Sequence, residues 1–473
     1  MRRIQLDDTA HTERDSASLI ERVMQAIHQR IARRTLEPGA KLPSIRGFAE
    51  AMGVSKSTVV EAYDRLAAEG VIQSRRGSGF YVAGHLPPLS LTRLGPQIDR
   101  AIDPFWVARQ SLDSDGTTLK PGGGWLPSAW MADNGLRRAL RTLARAQQSD
   151  DLTNYETSIG LQPLRQILAR RLIEGGIDAS PGQIVITESA TQAIDFLCRF
   201  LLEPGDTVLI DDPCYTNFQA LLRAHRAKLV GVPYTPAGPD VEAFTQAVTA
   251  HRPRLYVTNS AIHNPTGATL SAVTAHRLLK IAEAAHMTII EDDIYADFEH
   301  ERAPRLAAFD GLERVVHVGS FSKTLSAAVR CGYIATRRDW IESFVDLKIA
   351  TSVGSSRLSS SLLLQILKDG GYRKHVADLR ERLAVAMGRV TARLTDIGFT
   401  PWVKPRAGMF LWCALPEGVD SAQLARQALA ENIVLAPGNA YSPSQTAGRF
   451  MRFNVAQCSD DRIFTFLEQA IRA

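Results

Sequence analysis

The run Val315-Val-His-Val-Gly-Ser-Phe-Ser-Lys-Thr-Leu325 decides the fold class. Val315 to Val318 is a β-rich stretch, the length of a buried strand and too short for a helix. It breaks at Gly319 into a turn of small residues that carries Lys323, and Arg330 follows. A lysine in such a turn can form a Schiff base with a carbonyl compound. Ser320, Ser322 and Arg330 can donate to an anionic phosphate beside it. For this motif alone, an exposed loop lysine is the plainer reading.

Working outward, comparable apolar runs recur at Ile184–Ile186, Val208–Ile210, Leu229–Val232, Leu255–Val257, Ile289–Ile290 and Tyr333–Ala335, with helical patterns between them. Strands spaced by helices predict an α/β unit with a mostly parallel sheet. Such sheets bind ligands at the strand ends, and polar residues fall there. Glu188-Ser-Ala-Thr-Gln192 follows a strand and opens a helix, so the free N–H groups around Ser189, Ala190 and Thr191 can cradle phosphate or simply cap the helix. Tyr215, in Asp212-Pro-Cys-Tyr215, can stack on a flat ring or serve packing. Asn264 and Tyr295 can donate to a phenolate-type oxygen, although Asn264-Pro265 is also ordinary turn chemistry. Asp292, at a strand end in Glu291-Asp-Asp293, can keep a pyridine nitrogen protonated or be a loop acid. Arg452 can clamp a carboxylate bidentately or lie on the surface.

The N-terminal segment reads differently. Leu19, Val23, Ile27 and Ile31 recur every four residues, the period of an amphipathic helix. Pro43-Ser44 starts a short helix with Phe48, Ala49 and Met52 inward, closed by Gly53. Ser55 caps a third helix with Val59, Tyr63 and Leu66 inward, stopped by Gly70. Val71-Ile72 and Phe80-Tyr-Val82 then flank the basic tip Ser74-Arg-Arg-Gly-Ser-Gly79. Helix, helix, turn, helix and basic wing is the layout of a winged helix-turn-helix, whose third helix enters the major groove. Ser55, Lys56, Ser57 and Thr58 head that helix, and Arg46 with the wing residues Arg75, Arg76 and Gly77 is placed to hold the DNA backbone. A solvated basic face that contacts protein is the competing reading.

Composition fits this division. The 473 residues are 45% hydrophobic and 22% charged, which is ordinary for a globular chain and excludes wholesale disorder. At about 150 residues per domain the length implies about three structural units. Glu21 to Arg76 holds 10 Lys/Arg against 6 Asp/Glu, so +4 of the net +5 sits in one short basic segment, a nucleic-acid hint. Met1-Arg-Arg3 lacks an apolar stretch behind it, so no signal peptide is expected, and no apolar run is long enough for a membrane span. Five widely spaced cysteines without a C-x-x-C favour reduced thiols and a cytoplasmic location over a disulfide frame, and no metal site is expected. A Pro/Gly-rich break predicts three parts: a winged helix over 15–84, a linker over 85–117, and an α/β unit over 118–473. The last divides into a large lobe of about 150–340 and a small lobe of about 341–473 plus the N-terminal segment.

The ordered set L-P-S-x-R, G-V-S-x-x-T-V and R-x-G-S-G-x-x-V resembles the DNA-binding domain of GntR-type bacterial regulators, from about Ser18 to Val82. From about Leu119 onward, the order of cradle, stacking aromatic, Asn, Asp, Lys and Arg resembles the fold-type I, aspartate-aminotransferase-like enzymes that use pyridoxal 5′-phosphate. The fusion resembles MocR-type regulators. That resemblance implies that Lys323 holds the cofactor covalently and is the catalytic residue. It gives Asp292 the ring nitrogen, Asn264 and Tyr295 the ring oxygen, and Tyr215 the ring face. Ser189, Ala190, Thr191, Ser320, Ser322 and Arg330 fall on the phosphate, and Arg452 on an effector carboxylate. Tyr155 corresponds to a tyrosine that reaches the neighbouring subunit's phosphate, which implies a homodimer, head-to-tail in that family. One departure is visible: Ser189 stands where the cradle often has Gly.

The expected function is a cytoplasmic transcriptional regulator that binds double-stranded promoter DNA and senses pyridoxal 5′-phosphate, or an amine or amino acid through it. The alternative is an active aminotransferase with an appended DNA-binding domain, because every chemical residue is present.

Overall fold

A computed structural model describes residues 18–32, 36, 39–69, 71–75, 77–83, 104–113, 116–145 and 150–472. They form two compact units that divide at residue 90.

The first unit is helical with a wing. It comprises α1 (Leu19–Ala32), α2 (Ile45–Met52), α3 (Lys56–Ala68), β1 (Ile72–Arg75) and β2 (Gly79–Val82). Ser44 caps α2 by accepting from Gly47 N–H, and Gly53 ends it at a left-handed φ of 64°. Ser55 caps α3 by accepting from Thr58 N–H; such a cap is typically worth about 1 kcal/mol. Val23, Ile27, Phe48, Val59, Tyr63 and Leu66 fill the core. Tyr63 packs edge-on against Phe80 of the wing, and its hydroxyl donates to Pro43 O at 3.0 Å. Leu19, expected on the core face, lies at the end of α1 and is exposed. Gly70 and Arg76 lie outside the described residues, as does the Arg75 side chain.

The second unit opens with α4 (Pro104–Asp113), α5 (Asp133–Arg145), α6 (Asp150–Thr153) and α7 (Gln162–Glu174). Strands and helices then alternate: β3 (Ile184–Thr187), α8 (Ala190–Leu201), β4 (Thr207–Asp212), α9 (Thr216–Ala224), β5 (Lys228–Thr235), β6 (Gly238–Pro239), α10 (Val241–His251), β7 (Leu255–Thr258), α11 (Ala272–Ala284), β8 (Thr288–Asp292), α12 (Leu306–Asp310), β9 (Val315–Ser320) and β10 (Gly332–Ala335). They make an eight-stranded sheet in the order β3-β10-β9-β8-β7-β4-β5-β6. β9, β8, β7, β4 and β5 are mutually parallel, and β10 runs antiparallel between β9 and β3. The chain therefore leaves β3, β4, β7, β8 and β9 on one side. Helices cover both faces, which is why these strands read as unbroken apolar runs.

α13 (Ile341–Ser352), α14 (Arg357–Lys368) and the 27-residue α15 (Gly371–Ile397) follow. β11 (Thr400–Pro401), β12 (Phe410–Ala414), α16 (Ser421–Ala430), β13 (Ala436–Pro437), β14 (Phe450–Asn454) and α17 (Asp461–Arg472) complete the chain, with a four-stranded antiparallel sheet β11-β12-β14-β13. Two expected boundaries need correction. The small lobe does not begin at about 341: α14 packs on α5, α6 and α7, and α13 on α8 and β3, so both helices belong to the large lobe. Their apolar faces (Leu362, Leu363 and Ile366 on α14; Phe344 on α13) decide that docking. The stretch 85–117 is not linker throughout: within it, α4 buries Val107 against Trp412 and Tyr441. Of the remainder, residues 85–103, 114 and 115 lie outside the described residues.

No helix among the described residues is long and apolar enough to cross a membrane. All five cysteines are buried and unbridged.

Candidate functional site

The loops that leave the aligned strand ends meet at a cavity of about 160 Å³. Ser189, Ala190, Thr191, Tyr215, Asp292, Ser320, Ser322, Lys323 and Arg330 line it. Asn264, Tyr295 and Arg452 are hydrogen-bonded to one another, and the charge of Arg452 acts on Lys323 and Tyr215 in that lining. Asn264 Nδ2 donates to the Tyr295 hydroxyl at 3.2 Å, and Arg452 Nη1 donates to Asn264 Oδ1 at 2.9 Å. Tyr155 is not brought into this group; it stands 83% exposed beyond α6.

The cradle is a helix start. Ser189 caps α8, its Oγ accepting from Gln192 N–H at 3.1 Å. This explains the serine in place of glycine: the side chain secures the helix end, and the backbone donors of Ala190 and Thr191 remain in the cavity wall. The glycine requirement moves to Gly332 of β10, where a Cβ would come within 2.6 Å of the Ser189 carbonyl carbon. Opposite, Ser320 Oγ donates to Cys331 O at 3.2 Å and accepts from Ser322 Oγ at 3.1 Å, fixing the turn after β9.

Lys323 is half-buried, and its Nζ donates to Gly124 O at 2.7 Å. Burial, then the positive field of Arg452, brings its pKa down to about 8, against the opposing pull of Asp292. Asp292 is buried, and burial pushes its carboxyl up to about 7. Its Oδ1 has no hydrogen-bond partner. A carboxylate so placed is uncomfortable as an anion unless a cationic N–H approaches it. A protonated pyridine nitrogen is such a donor, so the residues present fit a pyridinium ring that carries a phosphate. Burial also raises the phenols of Tyr215 and, far more, Tyr295, so both remain donors.

Arg452 is buried on β14. Its guanidinium lies 4.1 Å from the Phe410 ring centroid and 4.7 Å from that of Tyr441. Nη2 donates to Gly122 O at 2.7 Å, and Nε has no partner. The sequence reading missed this surrounding layer. Gly122, Gly124 and Trp125 act here through backbone carbonyls: Gly122 holds Arg452, Gly124 holds Lys323, and Trp125 O accepts from Asn454 at 2.8 Å. A Cβ at Gly122 would lie 2.6 Å from Ala436 N, so the strap can sit only there as glycine. Three consecutive glycines were the available signal. Asn217 was also missed; it lines the cavity and lies 3.5 Å from Thr191 Oγ1.

In the first unit, Ser55, Lys56 and Ser57 are exposed at the start of α3, and Thr58 is half-buried. The Ser55 hydroxyl is within hydrogen-bond distance of Ser57 Oγ at 2.7 Å and Thr58 Oγ1 at 2.8 Å. Arg46, exposed on α2, pairs with Glu50 at 3.2 Å. In the wing, Arg75 opposes Gly79, and Gly77 takes a φ of 76° at the tip.

The chain matches the family model of aminotransferase class I and II over residues 130–469, and that of bacterial regulatory proteins, gntR family, over residues 19–82. It is 30% identical over 454 residues to the HTH-type transcriptional regulator YdcR of Escherichia coli (strain K12), covering 92% of this chain and 94% of that protein. It is 29% identical over 453 residues to the HTH-type transcriptional regulator YdfD of Bacillus subtilis (strain 168), covering 92% of each. The α-aminoadipate aminotransferase LysN of Thermus thermophilus, solved with N-(5′-phosphopyridoxyl)-L-leucine, matches with a TM-score of 0.70 at 24% identity, over 77% of this chain and 94% of that one. The second unit thus has the fold-type I aminotransferase architecture.

Proposed function

The chain belongs to the MocR-type regulators, in which a gntR-family winged helix is joined to a class I and II aminotransferase domain, and from that membership we propose a transcriptional regulator that reads an amine or amino acid through pyridoxal 5′-phosphate. One observation carries the reading. Lys323 and the buried Asp292, whose Oδ1 has no partner, line one cavity, in a chain whose first unit is a winged helix.

Pyridoxal 5′-phosphate, when bound, supplies an aldehyde that condenses with amines and a ring that withdraws electrons. Asp292 would accept the ring N–H, and its raised pKa would fall as that positive charge arrives. Asn264 and Tyr295 would donate to the ring oxygen, and Tyr215 would cover a ring face. Ser189, Ala190, Thr191, Ser320, Ser322 and Arg330 would hold the phosphate. Lys323, with a pKa of about 8, carries an appreciable neutral fraction near pH 7 and is the nucleophile. Arg452, whose Nε has no partner and whose charge acts on Lys323, would receive an effector carboxylate.

DNA would be held by Lys56, Ser57 and Thr58 at the start of α3, by Arg46, and by the wing at Arg75, Arg76 and Gly77. A homodimer, head-to-tail as the family resemblance implies, would cover the exposed Tyr155 and exposed apolar groups such as Leu152, Ile349, Val353 and Leu358. The second reading, an aminotransferase with an appended DNA-binding domain, is favoured by the complete set of chemical residues. Selection of bound fragments from sheared genomic DNA by the purified full chain tests the first reading. Enrichment of discrete promoter fragments supports it; enrichment no better than random contradicts it.

A further inference from the structure

A second cavity, of about 680 Å³, lies apart from the cofactor pocket. Phe298 of the large lobe forms one wall, Leu383 and Met387 of α15 another, and Trp402 and Leu411 of the small lobe a third. Its floor is apolar. Its charged lining is entirely basic: Arg380, Lys404 and Arg406, with His300 beside them and no carboxylate among the lining residues. Arg380 Nε is held at 2.8 Å by Asp297 O, which is uncharged, so its positive charge is not neutralised by that contact. Lys404 and Arg406 are exposed at the rim on the segment between β11 and β12. The size falls within the range of small-molecule sites, roughly 300–1,000 Å³. Charge of one sign around a low-dielectric hollow concentrates the opposite charge.

We propose that this interlobe cavity is a second ligand site, separate from the cofactor pocket, for a small anion with an apolar body. The apolar part would lie against Phe298, Leu383, Met387 and Trp402, and the carboxylate, sulfonate or phosphate would face Lys404 and Arg406. One aromatic layer separates it from the first site. Phe298 stacks on Tyr295 with ring centroids 6.2 Å apart, and Tyr295 meets Phe410 edge-on at 5.7 Å. The Phe410 face carries the Arg452 guanidinium. Its walls come from both lobes and from α15, so an occupant would touch all three.

The test titrates the full chain with 1-anilinonaphthalene-8-sulfonate, exciting tryptophan and following energy transfer from Trp402. One saturable site is expected. The double variant Lys404→Ser/Arg406→Ser should weaken it at least tenfold with an unchanged melting temperature, because both side chains are exposed. Met387→Trp, which partly fills the cavity from the α15 wall, should weaken it as well. Trp402→Phe should retain binding, measured by direct excitation of the probe, while losing most of the transfer. Lys323→Ala should change nothing. Affinity within twofold of wild type in both the charge variant and the filling variant would overturn the proposal. So would loss of binding in Lys323→Ala, which would place the probe in the cofactor pocket.

Discussion

Arg452 and Asn264 share a hydrogen bond of 2.9 Å that ties β14 of the small lobe to the loop after β7 in the large lobe. The residue assigned to the effector carboxylate is thereby bonded to a residue assigned to the cofactor ring, so occupancy of one position alters the other's hydrogen bonding.

Truncating that arginine should be costly. Arg452→Ala removes the donors to Asn264 Oδ1 and Gly122 O and leaves Phe410 and Tyr441 facing a hole. Each stranded buried acceptor costs about 1–3 kcal/mol, so for the two a loss of about 2–6 kcal/mol is expected in denaturant unfolding. Arg452→Lys keeps the charge but not the planar fork and should recover only part. A loss below about 0.5 kcal/mol in the alanine variant would show that the fork does not tie the lobes.

Asp292 gives a pH-dependent stability with an unusual sign. Its folded-state pKa of about 7 lies above the ordinary value of 3.8. Between those values the folded chain binds the proton more tightly, so the stability of the cofactor-free protein falls as pH rises through that window. The penalty is fully present above about pH 7 and is on the order of 2–4 kcal/mol. Asp292→Asn should therefore melt higher than wild type at pH 8 without cofactor, with the gap closing near pH 4. Added pyridoxal 5′-phosphate should stabilise wild type more than the variant. A variant less stable than wild type at pH 8 would contradict the burial argument.

Lys323 sets the pH dependence of cofactor capture. With its pKa lowered to about 8, the neutral fraction rises about tenfold between pH 7 and pH 9 and then levels off. Stopped-flow mixing with pyridoxal 5′-phosphate should show a rate that follows this curve, not one still climbing at pH 10. Lys323→Ala should lack the absorbance band that borohydride removes from wild type. Asp292→Asn should shift the midpoint to lower pH, because Asp292 is the group that raises the Lys323 pKa.

On the DNA side, Lys56→Ala and Arg76→Ala should each weaken operator binding and lower the slope of log affinity against log salt by about one. Glu50→Gln should tighten binding, because Glu50 pairs with Arg46 on an exposed face and such pairs are worth only about 0–1 kcal/mol. Unchanged affinity in all three variants across several salt concentrations would refute docking through this face.

What the sequence disclosed follows the kind of group involved. Lys323, Asp292, Asn264 and the cradle at Ser189 were legible because each stands at the end of an apolar run, where a parallel sheet collects its loops. The Gly122–Trp125 strap was not legible in function, because it works through carbonyl oxygens that every residue possesses. Pro104 reads as a breaker by composition, yet proline is favoured at the first position of a helix, and α4 begins with it. α13 and α14 show helical patterns, but periodicity does not say which lobe a helix docks on. The two-residue strands β11 and β13 are too short for any periodicity.

The central claim is that ligand occupancy at Lys323 and Arg452 changes DNA affinity, and it is tested most directly by one paired measurement. Amino acids and ω-amino acids that shift the cofactor spectrum are assayed on a single preparation for operator affinity and for keto-acid release. A coupling of about 1–3 kcal/mol, typical of such linkage, predicts a change of roughly 5- to 150-fold in operator affinity, with little turnover, and no response in Arg452→Ala. Turnover near the typical enzyme value of about 10 per second, with operator affinity unmoved, would contradict the regulator account and establish the aminotransferase reading instead.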